Sequence, residues 1–473
     1  MLSQNDIQQE EISVFPNYSK MSWLGLLGQT LLFFIPPFTL FYLWRLIRFS
    51  MTEIFGEFMG RFFLPSQQYD ENSIKRIYNG ENENIGFLEK MENINSGKTL
   101  TAEQRFIKTE DGARLSTLEI KTRNEESINK DVYVIHFPEN ATVYEVAIDD
   151  LVAHANEWGC NVVAFNYRNV FKSKGKAPQS FDDLVSDGVH QVYRLLKANV
   201  PPKKIVLKGK SLGAAVAACV AAYYHENKMP VFHYNASCFS SFTNVITGWI
   251  SAESNPHYKQ DPDPKISGHS ETFFGILLSW LARPFISLTL RLTGWEKNIE
   301  SVFRELPESH REYIMVKAKK TGKNEYNVPI RELSNIGDAT ITDAASLPAA
   351  ISDLRVEKKT EYEEMKQACL NLAVKDEDIA ANQLESCQII DEKRNAMKEY
   401  KFYYEDHPEK NAHLASEEEL INCNKVSAFE HFGLFIKQKV NHKHKTIVTK
   451  TGEFEPTHIE LVPEEKIKKI KNI

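Results

Sequence analysis

The sequence predicts an α/β protein with a doubly wound, mostly parallel sheet, to which a helical insertion and an N-terminal hydrophobic segment are added. Three observations carry this. Short apolar runs of strand length alternate with longer stretches of helical pattern, as in a sheet covered on both faces. The run Ile205-Val206-Leu207 leads into Gly209-Lys210-Ser211-Leu212-Gly213 and then into the small-residue run Ala214 to Ala222, which reads as strand, tight turn and helix. The 473 residues, 42% hydrophobic and 26% charged, suffice for one large domain with additions, or for two.

Residues 1–20 are polar. Residues 21–64 hold the hydrophobic segment and its flank. No residue from Met21 to Trp44 is charged, the stretch contains Leu31-Leu32-Phe33-Phe34-Ile35, and Arg45 and Arg48 follow it. A membrane span needs about 20 such residues. Trp23, Tyr42 and Trp44 stand where an aromatic belt would lie. Pro36-Pro37, past the middle, is expected to kink or break the helix. The expectation is therefore a kinked span or re-entrant hairpin that makes the membrane a partner. A hydrophobic helix pair buried on the rest of the protein is the alternative. The basic residues follow the apolar run rather than precede it, which argues against a cleavable secretory signal.

Residues 65–104, rich in Asn and Glu, read as a linker or a solvated helix. A globular domain is expected over 105–435. It opens with a hairpin, Arg105 to Thr109 and Ala113 to Lys121 flanking Glu110-Asp111-Gly112. The runs Val132 to Phe137, Cys160 to Tyr167, Ile205 to Leu207, Val231 to His233 and Tyr313 to Val316 read as strands, and Glu145 to Glu157 and Ser180 to Lys197 as helices between them. Right-handed crossovers then wind the sheet both ways. Two stretches interrupt the alternation. Glu271 to Leu292, apolar on both sides of Pro284, reads as a lid, as core helices or as a second membrane contact, and Arg283 and Arg291 argue against a full span. Asp353 to Met397, highly charged and without Gly or Pro, reads as an inserted helical hairpin. Residues 436–473 are expected to form a C-terminal tail, polar at Glu464 to Lys471.

The net charge of −7 gives no support for nucleic-acid binding. Six cysteines without a CxxC pair indicate a reducing compartment, with neither a disulfide framework nor a metal site.

The chemistry is expected at the tight turn. In G-x-S-x-G, Gly209 and Gly213 permit a strained elbow that lifts the Ser211 oxygen clear of the backbone at a helix N-terminus. A histidine can then activate it, and the Leu212 N–H can help hold an oxyanion. The bland alternative is a serine that caps the helix. A phosphate-binding loop is disfavoured, because it needs glycine five residues before Gly209, where Lys204 stands.

Val163 to Gly175 resembles the F-x-Y-R-G-Y-G-x-S-x-G stretch of α/β-hydrolase-domain serine hydrolases. Gly209 to Ala217 resembles their elbow G-x-S-L-G-G-A-V-A, and Phe137-Pro138-Glu139-Asn140-Ala141 their F-H-G-N-A oxyanion loop. The resemblance covers about 105–435. More narrowly, the architecture is similar to SidB-family type IV secretion effectors of Legionella, which implies a setting at host membranes. Three positions depart from the family pattern: Glu139 for a glycine, Arg168-Asn169-Val170-Phe171 for Arg-Gly-Tyr-Gly, and Ala214 for a glycine. The resemblance implies the Asn140 N–H as second oxyanion donor. It implies the order serine, acid, histidine. Gly337 to Leu347 then matches the acid loop, giving Asp338 with Asp343 as rival. Tyr400 to Tyr404 is expected as the last strand. His413 follows it as general base, ahead of a helix start at Ser416-Glu417-Glu418-Glu419 and a final helix Ser427 to Lys437, with His407 and His431 as rivals. The expected activity is cleavage of an ester or thioester of acyl or lipid type, with no cofactor and no metal. A catalytically inactive, membrane-tethered binding or scaffold protein is the alternative.

Overall fold

The computed structural model describes residues 10–11, 36–70, 87–253, 273–320, 333–336, 345–351, 401–405, 416–422, 425–440, 447–449 and 452–454. In chain order the sheet strands are β1 (Glu10–Glu11), β2 (Leu100–Lys108), β3 (Arg114–Thr122), β4 (Tyr133–Phe137), β5 (Asn161–Phe165), β6 (Ile205–Lys210), β7 (Phe232–Ala236), β8 (Arg311–Lys320), β9 (Leu333–Ile336), β10 (Lys401–Glu405) and β11 (Leu420–Asn422). Across the sheet they lie in the order β1-β2-β3-β5-β4-β6-β7-β8-β10-β11, with β9 antiparallel against the second half of β8. The inner strands β5, β4, β6, β7, β8 and β10 run parallel. The hairpin of β2 and β3 turns at Gly112, whose φ of +87° needs a residue without a Cβ.

The helices are α1 (Pro36–Phe63), α2 (Phe87–Ser96), α3 (Ile148–Trp158), α4 (Phe181–Lys197), α5 (Leu212–Glu226), α6 (Phe242–Glu253), α7 (Phe273–Leu292), α8 (Ile299–Glu305), α9 (Leu347–Ala350) and α10 (Ala428–Phe435). Strand alternation sends Ile135, Leu207 and Phe165 into a core with α4, α5 and α8, and Val134, Val162 and Val206 into a core with α3 and α10. Ser180 and Asp183 close a capping box at the start of α4, as Ser427 and Glu430 do for α10. The result is the mostly parallel α/β sheet, covered by helices on both faces, that the sequence predicts.

Within the described residues Pro36-Pro37 stand at the head of a 28-residue helix, where the first turn has no backbone hydrogen bond for proline to lose. Among the described residues no helix is long and apolar enough to cross a membrane. Most of the expected span, residues 21–35, lies outside them, as does the insertion 353–397. One reading changes: no helix starts at Ser416. Ser416 and Glu419 exchange the hydrogen bonds of a capping box, yet a turn follows and then β11, where Leu420 is buried opposite Tyr404. Glu417, one residue past the cap, is drawn inward to Lys208 and His154 instead.

Candidate active site

Ser211 follows the last residue of β6 and precedes α5. Its φ of 52° and ψ of −122° are strained for a residue with a side chain, at a cost of about 1–3 kcal/mol. The surroundings enforce it. The Ser211 N–H donates to Ala236 O at 3.0 Å, and its carbonyl accepts from Ala214 and Ala215 at 3.1 and 3.2 Å. Both glycines are required by space. A Cβ on Gly209 would sit 2.5 Å from the Ala214 nitrogen, and one on Gly213 would sit 2.2 Å from Phe137 O. The hydroxyl does not cap α5, which disposes of the bland alternative.

The first turn of α5 is pressed against the loop after β4, since Gly213 meets the backbone of both Phe137 and Pro138. That loop, Pro138 to Ala141, is pinned by the segment after α1. Ser66 donates to Asn140 O from its N–H at 3.4 Å and from its hydroxyl at 3.0 Å, and the Tyr69 hydroxyl donates to Ala141 O at 2.9 Å. Glu139, where a glycine was expected, holds its carboxylate 3.4 Å from Lys210 Nζ. Leu212 is buried at the helix N-terminus, and Asn140 is exposed in the pinned loop.

The departure at Asn169 and Phe171 has a backbone explanation. Asn169 and Phe171, which stand where glycines were expected, keep the positive φ a glycine would adopt, 59° and 47°. Asn tolerates this; a bulky Phe does so only under constraint. The constraint comes from Arg168, whose Nε and Nη2 donate to Asp187 at 2.9 and 2.8 Å while its N–H bonds the other oxygen at 2.8 Å. Ser173 Oγ ties the loop end to Ser116 N and Asn166 O, both at 2.8 Å.

Asp338 and His413 lie outside the described residues, as do Asp343 and His407. The flanks of Asp338 are fixed. β9 ends at Ile336, and Ala345 O accepts from the Ser240 N–H and hydroxyl at 2.7 and 3.0 Å. Leu347 N donates to Cys238 O at 2.8 Å. Ahead of His413, β10 ends with Glu405 opposite Lys319. The third candidate histidine, His431 on α10, turns Nδ1 to the Tyr234 hydroxyl at 2.9 Å.

A polar cluster beneath the sheet escaped the sequence reading. Lys208, buried on β6, pairs with Glu417 and lies 4.9 Å from the rings of Trp158 and Phe432. Glu417 also stands 3.4 Å from His154 Nε2, and His154 stacks on Trp158 and His136. Burial alone would raise the Glu417 carboxyl; Lys208 and His154 overcome it and hold it well below the usual range. Burial, with Lys208 nearby, brings His154 down to about 4. The signal was present as a lysine directly after the apolar run Ile205-Val206-Leu207. Burial pushes the Cys160 and Cys219 thiols up to about 12, so both are inert packing residues. Among the described residues no group of side chains is arranged to hold a metal ion.

No family model matches this chain. Solved structures similar to it include an α/β hydrolase from Vibrio vulnificus, 16% identical over 55% of this chain and 75% of that one, with a TM-score of 0.36. An esterase from Pyrococcus furiosus is 21% identical over 46% and 70%, with a TM-score of 0.31. An esterase from Pyrobaculum calidifontis is 15% identical over 58% and 79%, with a TM-score of 0.32.

Proposed function

We propose that this chain is a serine hydrolase that cleaves a carboxylic ester or thioester, with a lipid or other acyl compound as substrate. Ser211 Oγ attacks the carbonyl carbon and passes its proton to His413. The N–H groups of Leu212 and Asn140 hold the oxyanion. As the acyl–oxygen or acyl–sulfur bond breaks, His413 returns the proton to the leaving alcohol or thiol. Water, activated in turn by His413, then releases the acid from Ser211. Asp338 fixes the imidazole tautomer and stabilises the imidazolium.

The observation that supports this best is the Ser211 elbow, a strained backbone with a hydroxyl not spent on its own helix. Strain of this kind concentrates at functional sites. A fluorophosphonate probe tests it: labelling of the wild type and none of Ser211→Ala is expected, and an unlabelled, folded wild type would refute it. A panel of acyl esters, acyl thioesters and peptides then separates the substrate classes. The second reading, a membrane-tethered binding or scaffold protein without activity, is favoured by Glu139 in the oxyanion loop. Its pairing with Lys210 draws that carboxylate aside. The resemblance to secreted effectors is the ground for proposing a host membrane as the setting.

A further inference from the structure

Fifteen of the nineteen exposed large hydrophobic residues among the described residues lie on two helices, nine on α1 and six on α7. The two helices touch: Thr52 Oγ1 of α1 donates to Leu292 O at the end of α7 at 3.2 Å. Their polarity is inverted relative to an ordinary surface helix. On α1 the small residues Gly56 and Gly60 face inward, close against the backbone of Gln179 and Pro178. Leu43, Ile47, Ile54 and Phe58, at i, i+4, i+11 and i+15, face out. On α7, Gly275 and Leu290 are buried, while Leu277, Leu281, Phe285 and Leu288 face solvent. Trp280 is 68% exposed and Phe285 73%. An outward apolar face of this extent marks an interaction site.

Charge selects the occupant. The two helices carry Arg45, Arg48, Arg61, Arg283 and Arg291 against Glu53 and Glu57, five minus two, or +3, on a chain of net charge −7. A second copy docking face to face would set +3 against +3, since an isologous contact pairs the same patch with itself. An anionic lipid surface supplies the complement, and Trp, Phe and Leu beside arginine is the composition of helices that lie in the headgroup layer.

We propose that the outer faces of α1 and α7 together dock on an anionic phospholipid bilayer, with the protein lying on the surface rather than spanning it. The inference does not rest on the hydrolase reading. If both hold, the lipid face and the site are joined, because α1 runs directly into the turn whose Ser66 pins Asn140.

Liposome flotation of the full chain tests this, with vesicles of phosphatidylcholine and phosphatidylserine at about 7:3 or of phosphatidylcholine alone. The wild type is expected to float with the mixed vesicles and several-fold less with the neutral ones. Trp280→Asp with Phe285→Asp, both far in sequence from residues 21–35, is expected to lower the bound fraction about tenfold or more. Ile128→Asp, equally exposed but off this face, is expected to bind like the wild type. Thermal unfolding confirms that the double variant folds; if it does not, Ile54→Asp with Phe58→Asp replaces it. Flotation unchanged in the double variant overturns the proposal and puts the anchor elsewhere. A wild type that stays with the soluble fraction also overturns it, and so does a dimer that the double variant splits into monomers.

Discussion

Gly213→Ala probes the contact on which the site depends. The added Cβ would sit 2.2 Å from Phe137 O and 2.7 Å from Pro138 O, where ordinary contact begins at 3.4 Å. The difference from the first, 3.4 minus 2.2, is 1.2 Å. Both atoms are backbone, so no side-chain rotation relieves the clash. Either the first turn of α5 or the Pro138 to Ala141 loop must retreat, and that loop is held from behind by Ser66 and Tyr69. Overpacking of this kind costs about 1–3 kcal/mol of stability. The effect on reaction is larger. On the proposed mechanism, a displacement of about 1 Å between Ser211 and the proposed oxyanion donors costs about 100-fold in rate, or about 2.7 kcal/mol. The assay is the second-order rate of fluorophosphonate labelling of Ser211, measured well below the melting temperature of the variant. Gly433→Ala serves as comparison, since its nearest neighbour is 3.3 Å away on the Trp158 side chain. Labelling of folded Gly213→Ala at the wild-type rate, with unchanged melting, would refute the close packing of elbow on loop.

Two further predictions concern the buried cluster. Glu417→Ala leaves the Lys208 ammonium buried without its carboxylate and is expected to cost about 3–5 kcal/mol in urea unfolding, whereas Lys208→Met with Glu417→Leu should recover most of that loss. A single variant within about 1 kcal/mol of wild type would mean that the pair is solvated. Stability should also fall on acidification between about pH 6.5 and pH 4. The folded protein keeps His154 neutral down to about 4 while the unfolded chain binds its proton near 6.5, so the unfolded state holds more protons across that window. The interval of about 2.5 pH units, at 1.36 kcal/mol each, makes the His154 contribution about 3 kcal/mol, present in full above pH 6.5 and lost towards pH 4. Urea midpoints at several pH values check this, with His154→Gln expected to flatten the slope; an equal slope in the variant would contradict it.

The apolar runs at Val132, Cys160, Ile205, Val231 and Tyr313 all proved to be strands, because a strand buried on both faces needs an uninterrupted apolar stretch. Their ends were less legible. β6 runs on through Lys208 to Lys210, since a carboxylate from 209 residues away makes a buried lysine tolerable there. Ser416-Glu417-Glu418-Glu419 has the local chemistry of a helix cap, yet strand pairing to β10 and the pull on Glu417 prevail. The elbow was readable as a spacing, two glycines around a serine, although the contact that requires Gly213 is made with the distant backbone of Phe137 and Pro138.

What the chain determines by itself, then, is the alternation that builds the sheet and the backbone strain that singles out Ser211. Both leave a periodic or positional trace in the sequence, one as alternation and the other as glycines spaced around a serine. Only the tertiary structure decided that positive φ survives at Asn169 and Phe171 without glycine, that Ser66 pins the Asn140 loop, and that the apolar side of α1 faces outward while its glycines face in. Each of those depends on groups brought close by folding, and a contact between distant segments leaves no spacing to read.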